Sequence, residues 1–180
     1  ADLAALGTLT IPKLEGVEYD PVVPVEMSAA QAAMLKNLPN VTDQMLRNPS
    51  PNDWLHWGRT YNGQSYSPLK QINRDNVKEL RPAWRAPLIQ GTSMSMPVVH
   101  QGVMFLQAYP DTVLAMDATN GAVLWRYKRE LPRSSKKMGL SLHEDRIYVS
   151  TSDLHVIALN ARTGELVWDH TMELGSEGVP

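Results

Sequence analysis

The side chains of this chain that could do chemistry are histidines, methionines and a group of lysines and arginines. Its 180 residues include 5 His and 9 Met but no Cys, which excludes disulfides, iron–sulfur clusters, thiol catalysis and cysteine-based zinc sites. The histidines do not follow the i, i+4 spacing of a helical metal site. A glycine-rich phosphate loop and a nucleophile elbow are both absent from the sequence, so nothing in it indicates a nucleotide cofactor or hydrolysis.

A basic cluster lies in the middle of the chain. Residues 54–137 carry 12 basic and 5 acidic side chains, although the net charge of the whole chain is −2. Two interpretations stay open: a solvated loop, or an anion-attracting rim for a cofactor or an acidic partner. Nucleic acid is not expected as a partner, because the rest of the chain is acidic and only Tyr127 interleaves the cluster. The cluster comprises Arg126, Lys128, Arg129, Arg133, Lys136 and Lys137.

The first 52 residues predict an arm with little core of its own. The prolines of residues 1–26 predict an extended coil. A capping box of Ser28 and Gln31 predicts a helix that ends before Pro39, and Thr42 predicts a second short helix over residues 43–47. The beginning of the sequence is typical of a chain cut after a small-residue site, which predicts export with a signal peptide already removed. No apolar run is long enough to span a membrane.

From Asp53 onward the sequence predicts an all-β structure. A turn-rich aromatic segment is followed by one short helix or helical turn within residues 73–80. Short runs rich in Val, Ile, Leu and Trp, separated by Gly, Asn, Asp and Ser, then predict strands. The predicted strands are residues 83–88, 96–100, 103–108, 113–117, 123–128, 138–143, 147–151, 156–160 and 166–171.

These strands belong to an internal repeat. Shifting the chain by 43 residues superposes residues 113–131 on residues 156–174 with seven identical positions, including Trp125 on Trp168. A looser third copy ends at Trp84. A period of about 40–45 residues with several short strands per unit indicates β-propeller blades, although two hairpins with coincident tryptophans would be the simpler alternative.

The repeated turns have a clear physical logic. Gly121 and Gly164 can adopt the positive φ of a tight turn without steric cost. Asp117 and Asn160 can accept hydrogen bonds from backbone amides just downstream and so close each corner. A single blade cannot bury both of its faces, so Trp125 and Trp168 are expected to pack against a neighbouring blade.

Two sets of residues resemble the quinoprotein dehydrogenases, which use pyrroloquinoline quinone (PQQ). The units Ala115–Trp125 and Ala158–Trp168 resemble the tryptophan-docking motif A-x-D-x-x-T-G-x-x-x-W of that family. Residues 53–84, which we call the opening segment, resemble the start of its propeller through Asp-Trp, Gly-Arg, Tyr-Ser-Pro-Leu, Gln-Ile-Asn and Ala-Trp. The resemblance covers residues 53–180.

The resemblance implies part of an eight-bladed propeller of the PQQ alcohol dehydrogenase type. This chain would supply about two blades over residues 53–180, preceded by the arm of residues 1–52. In such enzymes an alcohol transfers hydride to PQQ beside Ca²⁺ or a lanthanide, and electrons pass to a cytochrome c in the periplasm. Because eight blades need more than about 300 residues, the remainder of the propeller is expected from the same polypeptide, cleaved, or from a second chain.

The chain departs from the family pattern where the family contacts its quinone. The adjacent cysteine pair is missing, Met94 stands where an acidic residue is common, and Met138 stands where an arginine is common. Lys136 and Lys137 could replace that arginine in holding the quinone carboxylates. Ser95 is a further candidate for a cofactor contact, at a position where the family has a polar contact near the axis.

Three methionines, Met94, Met96 and Met138, could line an apolar wall of the quinone or substrate pocket, or simply pack in the core. No catalytic residue and no metal ligand is expected within this chain, since those of the family lie in later blades. The competing interpretation is a non-catalytic propeller of the same repeat family that acts as a periplasmic protein-binding scaffold. A carbohydrate-binding propeller is a third alternative, which no residue specifically favours.

Overall fold

A computed structural model describes residues 25–91, 94–131 and 139–172. Within them, eight strands form two four-stranded antiparallel sheets, each a simple meander in chain order. The all-β propeller fragment expected from the sequence is therefore confirmed. The first sheet contains β1 (Val98–His100), β2 (Val103–Ala108), β3 (Thr112–Asp117) and β4 (Val123–Lys128), and the second contains β5 (Leu140–His143), β6 (Arg146–Ser150), β7 (His155–Asn160) and β8 (Leu166–Thr171).

The core lies mainly between the two sheets and beneath the arm. Along β6 and over the first four residues of β2, buried positions alternate with more exposed ones, as in strands with one fully covered face. By contrast, every residue of β3 is buried, because segments pack against both of its faces. The edges β1 and β5 contact each other and bring the starts of the two sheets together. The largest fully buried side chains of the strands are Phe105, Met116, Leu124, Ile147, Ile157 and Leu159.

Each sheet receives a tryptophan from the repeat that precedes it in the chain. The indole Nε1 of Trp125, on β4, donates to the carbonyl of Ala161 at 3.1 Å, and its ring lies on Gly164. Trp84 repeats this arrangement one period earlier, donating to the carbonyl of Ala118 at 3.1 Å. Both the packing predicted for Trp125 and the third repeat ending at Trp84 are therefore confirmed.

The turns beneath these tryptophans need glycine for two reasons. Gly121 and Gly164 both have φ of 75°, which side chains rarely adopt. A Cβ at Gly164 would also lie 2.6 Å from the Trp125 ring. The predicted corner bonds are present, since Asp117 Oδ1 accepts from the amide of Thr119 at 2.9 Å.

One local prediction needs correction and another is confirmed. Residues 83–88, predicted as a strand, belong to neither sheet, because no described strand pairs with them. Residues 73–80, predicted as one short helix or helical turn, contain a short 3₁₀ helix, Val77–Glu79, so this prediction is confirmed. Asn73 and Asn76 side chains bind nearby backbone groups there, and such bonds compete with a longer helix.

The two short helices of the arm are confirmed. Helix α1 spans Ala29–Lys36, and the capping box of Ser28 and Gln31 is complete. Helix α2 spans Asp43–Arg47, with the Thr42 side chain accepting from the amide of Met45.

The arm packs on both sheets and does not stand apart from them. Leu35, Leu38 and Val41 belong to the main hydrophobic cluster. Val41 pairs with Glu144 in the β5–β6 turn, and the Arg162 guanidinium donates to the carbonyl of Leu38 at 2.7 Å. The apolar side chains of the arm thus share one hydrophobic core with the two blades, so the arm helps to hold the blades together. The boundary between residues 52 and 53 stays a prediction.

Two histidines at equivalent positions of the repeat bind the arm to the two sheets. His100 is fully buried, with Nε2 donating to the Pro39 carbonyl at 3.0 Å and Nδ1 lying 3.3 Å from the Asp53 carboxylate. His143 Nε2 lies 3.0 Å from the carboxylate of Asp43, on α2. The structural role expected for this pair is confirmed, and in His100 both ring nitrogens are engaged by the arm and by Asp53.

Acid is expected to destabilise the fold through Asp53. Burial raises the pKa of Asp53, but hydrogen bonds from His100 and from the amide of Gln101 outweigh it and hold the pKa below its ordinary value of 3.8. A lowered carboxyl pKa adds stability that is present above the unfolded-state pKa and lost as the pH falls through the folded-state pKa. The free energy of unfolding, measured by urea denaturation, should therefore decline below about pH 4.

The matched variant is Asp53→Asn, which cannot ionise. It should be less stable at neutral pH and should lose less stability between about pH 5 and about pH 3. An acid-induced loss of equal size in the variant would assign the effect to other carboxylates, such as Asp117 and Asp153, whose pKa values also lie below the ordinary value.

Candidate functional site

A cavity of about 440 Å³ opens where the starts of β1 and β5 meet. Its walls combine apolar side chains with a few small polar ones, and none of its lining residues is charged. Met94 and Trp57 on its wall are 57% and 73% exposed, which is unusual for large apolar side chains that converge on one place. The lining residues are Trp57, Met94, Met96, Val98, Gly139, Leu140, Ser141, Tyr148, Val149, Ser150 and Val156.

The extended backbone before β1 decides which predicted residues reach this cavity. Successive side chains in an extended chain point to opposite sides. Met94 and Met96 therefore line the cavity together, while Ser95 between them does not. The Ser95 Oγ is buried and has no hydrogen-bond partner among the described residues.

The other predicted contacts cannot be placed. Lys136, Lys137 and Met138 lie outside the described residues. The assignment of Lys136, Lys137 and Ser95 to a cofactor therefore stays a prediction.

The basic cluster separates into residues with different surroundings. Arg126 is exposed, Lys128 forms an ion pair with Glu130, and Arg129 is buried. Arg133 lies outside the described residues, like the two lysines that follow it. Neither interpretation of the basic cluster, as a solvated loop or as an anion-attracting rim, fits Arg129, because this side chain faces neither solvent nor a cavity.

Arg129 forms a buried ionic cluster between the two sheets. Arg129 directly follows β4. Its guanidinium donates to Asp169 on β8 at 2.6 Å and to Asp153 in the β6–β7 turn at 2.6 Å. His155 Nδ1 contacts the other oxygen of Asp169. Nearby, the Asp111 carboxylate accepts from the amide and the hydroxyl of Ser152. These contacts join the first blade to the second.

The electrostatics of this cluster favour the charged forms. Burial lowers the pKa of Arg129, but its bonds to Asp169 and Asp153 outweigh burial and raise the pKa above its ordinary value. Burial likewise raises the pKa of Asp153, while bonds from Thr151 and Arg129 hold it below 3.8. Arg129 and Asp153 are therefore held in their charged forms, as expected for a structural ion pair.

The described residues contain no group of three or more carboxylate or imidazole side chains placed to hold a metal ion. At the cavity beside β1 and β5 they offer a ligand an uncharged, largely apolar wall. Trp57, Ser141, Tyr148 and Ser150 were not identified from the sequence as lining residues. Only the repeat, which brings the starts of β1 and β5 together, could have indicated them.

A family model described as the β-propeller domain of glucose, ethanol and alcohol dehydrogenases that use PQQ matches residues 54–142. Residues 54–142 therefore carry the β-propeller domain of this PQQ dehydrogenase family. The matched range runs from the opening segment through the first sheet into the second. It therefore includes both Met94 and Met96 of the cavity wall and the docking contact of Trp84.

Curated relatives in this PQQ family extend the match over most of the chain. A quinoprotein ethanol dehydrogenase of Pseudomonas aeruginosa is 33% identical over 172 residues, which is 87% of this chain and 27% of the relative. The quinohemoprotein alcohol dehydrogenase ADH IIB of Pseudomonas putida is 38% identical over 125 residues, 64% of this chain and 18% of the relative. This chain thus spans between about a fifth and about a quarter of the length of these relatives.

Solved structures agree with the propeller assignment. The quinohemoprotein alcohol dehydrogenase of Comamonas testosteroni superposes with a TM-score of 0.68 and 30% identity, covering 83% of this chain and 24% of that one. A europium-containing methanol dehydrogenase superposes with a TM-score of 0.65 and 27% identity, covering 72% of this chain and 24% of that one. None of the described helices is long and apolar enough to cross a membrane.

Proposed function

We propose that this chain forms the arm and the first two blades of an eight-bladed, PQQ-dependent alcohol dehydrogenase of the periplasm. In this proposal the remainder of the propeller supplies the catalytic base and the ligands of Ca²⁺ or a lanthanide, and a cytochrome c accepts the electrons. The observation that carries the proposal is the 33% identity to a quinoprotein ethanol dehydrogenase over 87% of the chain.

The cavity fits one part of PQQ and leaves another part to other residues. PQQ is a flat, fused ring system whose edge bears carboxylates. Met94, Met96 and Trp57 provide an apolar wall against which such a ring can pack. Because no lining residue is charged, cations from elsewhere must meet the carboxylates. We assign this role to Lys136 and Lys137.

The contribution of this chain is binding and exclusion of water. Bound PQQ supplies the hydride acceptor for alcohol oxidation. The apolar wall keeps water from the face of the ring that it covers. The Ser95 hydroxyl, predicted as a cofactor contact, does not line this cavity, so in this proposal it gives the ring no polar contact.

The two lysines give this proposal a direct test. The double variant Lys136→Ala/Lys137→Ala of the full gene product should bind PQQ about tenfold more weakly, equivalent to about 1.4 kcal/mol, because a charge-assisted contact is lost. Titrating PQQ into the metal-loaded protein and following tryptophan fluorescence measures the affinity. Lys70→Ala/Lys78→Ala, which removes two exposed lysines of the opening segment, is the control and should bind as the unchanged protein does.

The uncharged cavity wall also favours one rival function, a non-catalytic propeller that binds proteins. Met94 in place of the family's common acidic residue and the missing cysteine pair would suit such a scaffold. If the full gene product bound no PQQ in the presence of Ca²⁺ or a lanthanide, and showed no dye reduction with simple alcohols, the scaffold function would replace the dehydrogenase proposal.

A further inference from the structure

Met94 and Met96 place two thioether side chains on the wall of one cavity. They are two residues apart in extended backbone, so their side chains leave the same side of the chain about 6–7 Å apart. Each side chain has three rotatable bonds, which lets both sulfurs turn toward one point. Met94 is 57% exposed and Met96 is 36% exposed, so neither side chain is enclosed by the core. Both thioethers are therefore available to a ligand in the cavity.

Trp57 adds an aromatic ring to the same wall. It lines the cavity and is 73% exposed, so its indole is open to a ligand as well. The face of an indole attracts a cation that lies within about 6 Å of the ring centre, more strongly than the ring of Tyr or Phe does. Two thioethers and an indole thus converge on one cavity, and all three favour a polarising cation.

The remaining lining residues decide which cation this arrangement selects. None of them is a carboxylate or an imidazole, the oxygen and nitrogen ligands on which Ca²⁺, Mg²⁺ and Zn²⁺ depend. Burial raises the pKa of Tyr148, so its hydroxyl stays neutral near neutral pH. Thioether sulfur selects Cu(I) among the first-row metals. The cost of taking an ion out of water rises with the square of its charge, so an uncharged wall also favours a monovalent ion.

We propose that Met94, Met96 and Trp57 form a binding site for a soft monovalent cation, and that Cu(I) is the biological metal that it takes. The two sulfurs coordinate the ion, and the indole covers one side of it. This inference does not rest on PQQ binding. In the proposed dehydrogenase the ion and the quinone ring would compete for the same wall.

Silver is a suitable probe, because Ag⁺ shares the charge and the sulfur preference of Cu(I) and stays in one oxidation state. Calorimetric titration of Ag⁺ into the PQQ-free full gene product, in chloride-free buffer, should show a saturable site. Met94→Leu/Met96→Leu keeps the apolar volume and removes both sulfurs. It should weaken that site at least about 100-fold, because losing a residue that only supports a metal ligand already costs about 10–100-fold in affinity.

The control removes two methionines that do not line the cavity. Met27 and Met172 are 39% and 36% exposed, so Met27→Leu/Met172→Leu deletes an equal number of accessible sulfurs and should leave the affinity unchanged. Zn²⁺ should leave the site empty at concentrations at which Ag⁺ saturates it. Circular dichroism verifies that each variant is folded. Absence of a saturable site, equal affinity in the two double variants, or equal binding of Zn²⁺ would overturn the proposal.

The indole has its own variant. Trp57→Phe keeps an aromatic ring with a weaker attraction for cations and should reduce the Ag⁺ affinity about 2–5-fold. Unchanged affinity in this variant would contradict the part assigned to Trp57. The two proposals fail separately, because Ag⁺ binding without PQQ binding would contradict the dehydrogenase alone. PQQ binding without Ag⁺ binding would contradict the cation site alone.

Discussion

Replacing Arg129 with methionine is expected to lower the free energy of unfolding by about 3–5 kcal/mol, because it removes one partner of a buried ion cluster. The Arg129 side chain is 1% exposed, and Asp169, which it contacts at 2.6 Å, is 3% exposed. Methionine fills much of the same volume but leaves the carboxylate of Asp169 buried without its guanidinium partner. Urea denaturation followed by tryptophan fluorescence measures the loss.

The control for this variant is the same change three residues earlier. Arg126→Met removes an exposed arginine of the same strand and should change the free energy of unfolding by less than about 0.5 kcal/mol. Such a comparison separates the loss of a buried ion pair from a general effect of replacing arginine in β4. Equal losses in the two variants would contradict the role assigned to Arg129.

Features carried by short stretches of sequence could be predicted. The turns at Gly121 and Gly164 depend on residues within a few positions of each other, and the tryptophans recur at a fixed repeat distance. The helix of residues 29–36 likewise follows from its own cap at Ser28. Local geometry sets these features, so one sequence with an internal repeat was enough to predict them.

Features that depend on distant residues could not be predicted. Arg129 was grouped with exposed lysines because its partners, Asp153 and Asp169, lie 24 and 40 residues away. The arm was expected to have little core of its own, since nothing in residues 29–47 shows that their apolar side chains pack on both sheets. Their packing surface is created only when the blades fold.

The candidate site contains features of both kinds, some that could be predicted from the sequence and some that could not. Repeat and family patterns correctly drew attention to residues 94–96. They could not say that Met94 and Met96 reach the cavity while Ser95 does not, since this follows from the alternation of side chains in the extended backbone before β1. Tyr148 and Ser150 come from the second sheet and become lining residues only through the contact of β1 with β5.

The other large loss of stability is expected from Trp125→Ala, at about 3–5 kcal/mol. Trp125 is 3% exposed, packs near Phe105 and covers Gly164 of the next turn. Alanine would leave a cavity at the junction of the sheets and remove the donor to the Ala161 carbonyl. Thermal and urea unfolding should both report the change. Two matched variants separate the physical causes.

Trp125→Phe keeps much of the ring but loses the 3.1 Å hydrogen bond to Ala161, so its cost should be nearer to about 1–2 kcal/mol. Trp168→Ala removes the tryptophan at the equivalent position of β8, which is only half-buried in this chain and contacts Tyr148. A smaller loss of stability in Trp168→Ala than in Trp125→Ala would show that the loss at Trp125 arises from docking on the neighbouring blade. A Trp168→Ala loss as large as that of Trp125→Ala would instead place the stabilisation within each sheet. Docking would then no longer explain why tryptophan recurs at this phase of the repeat.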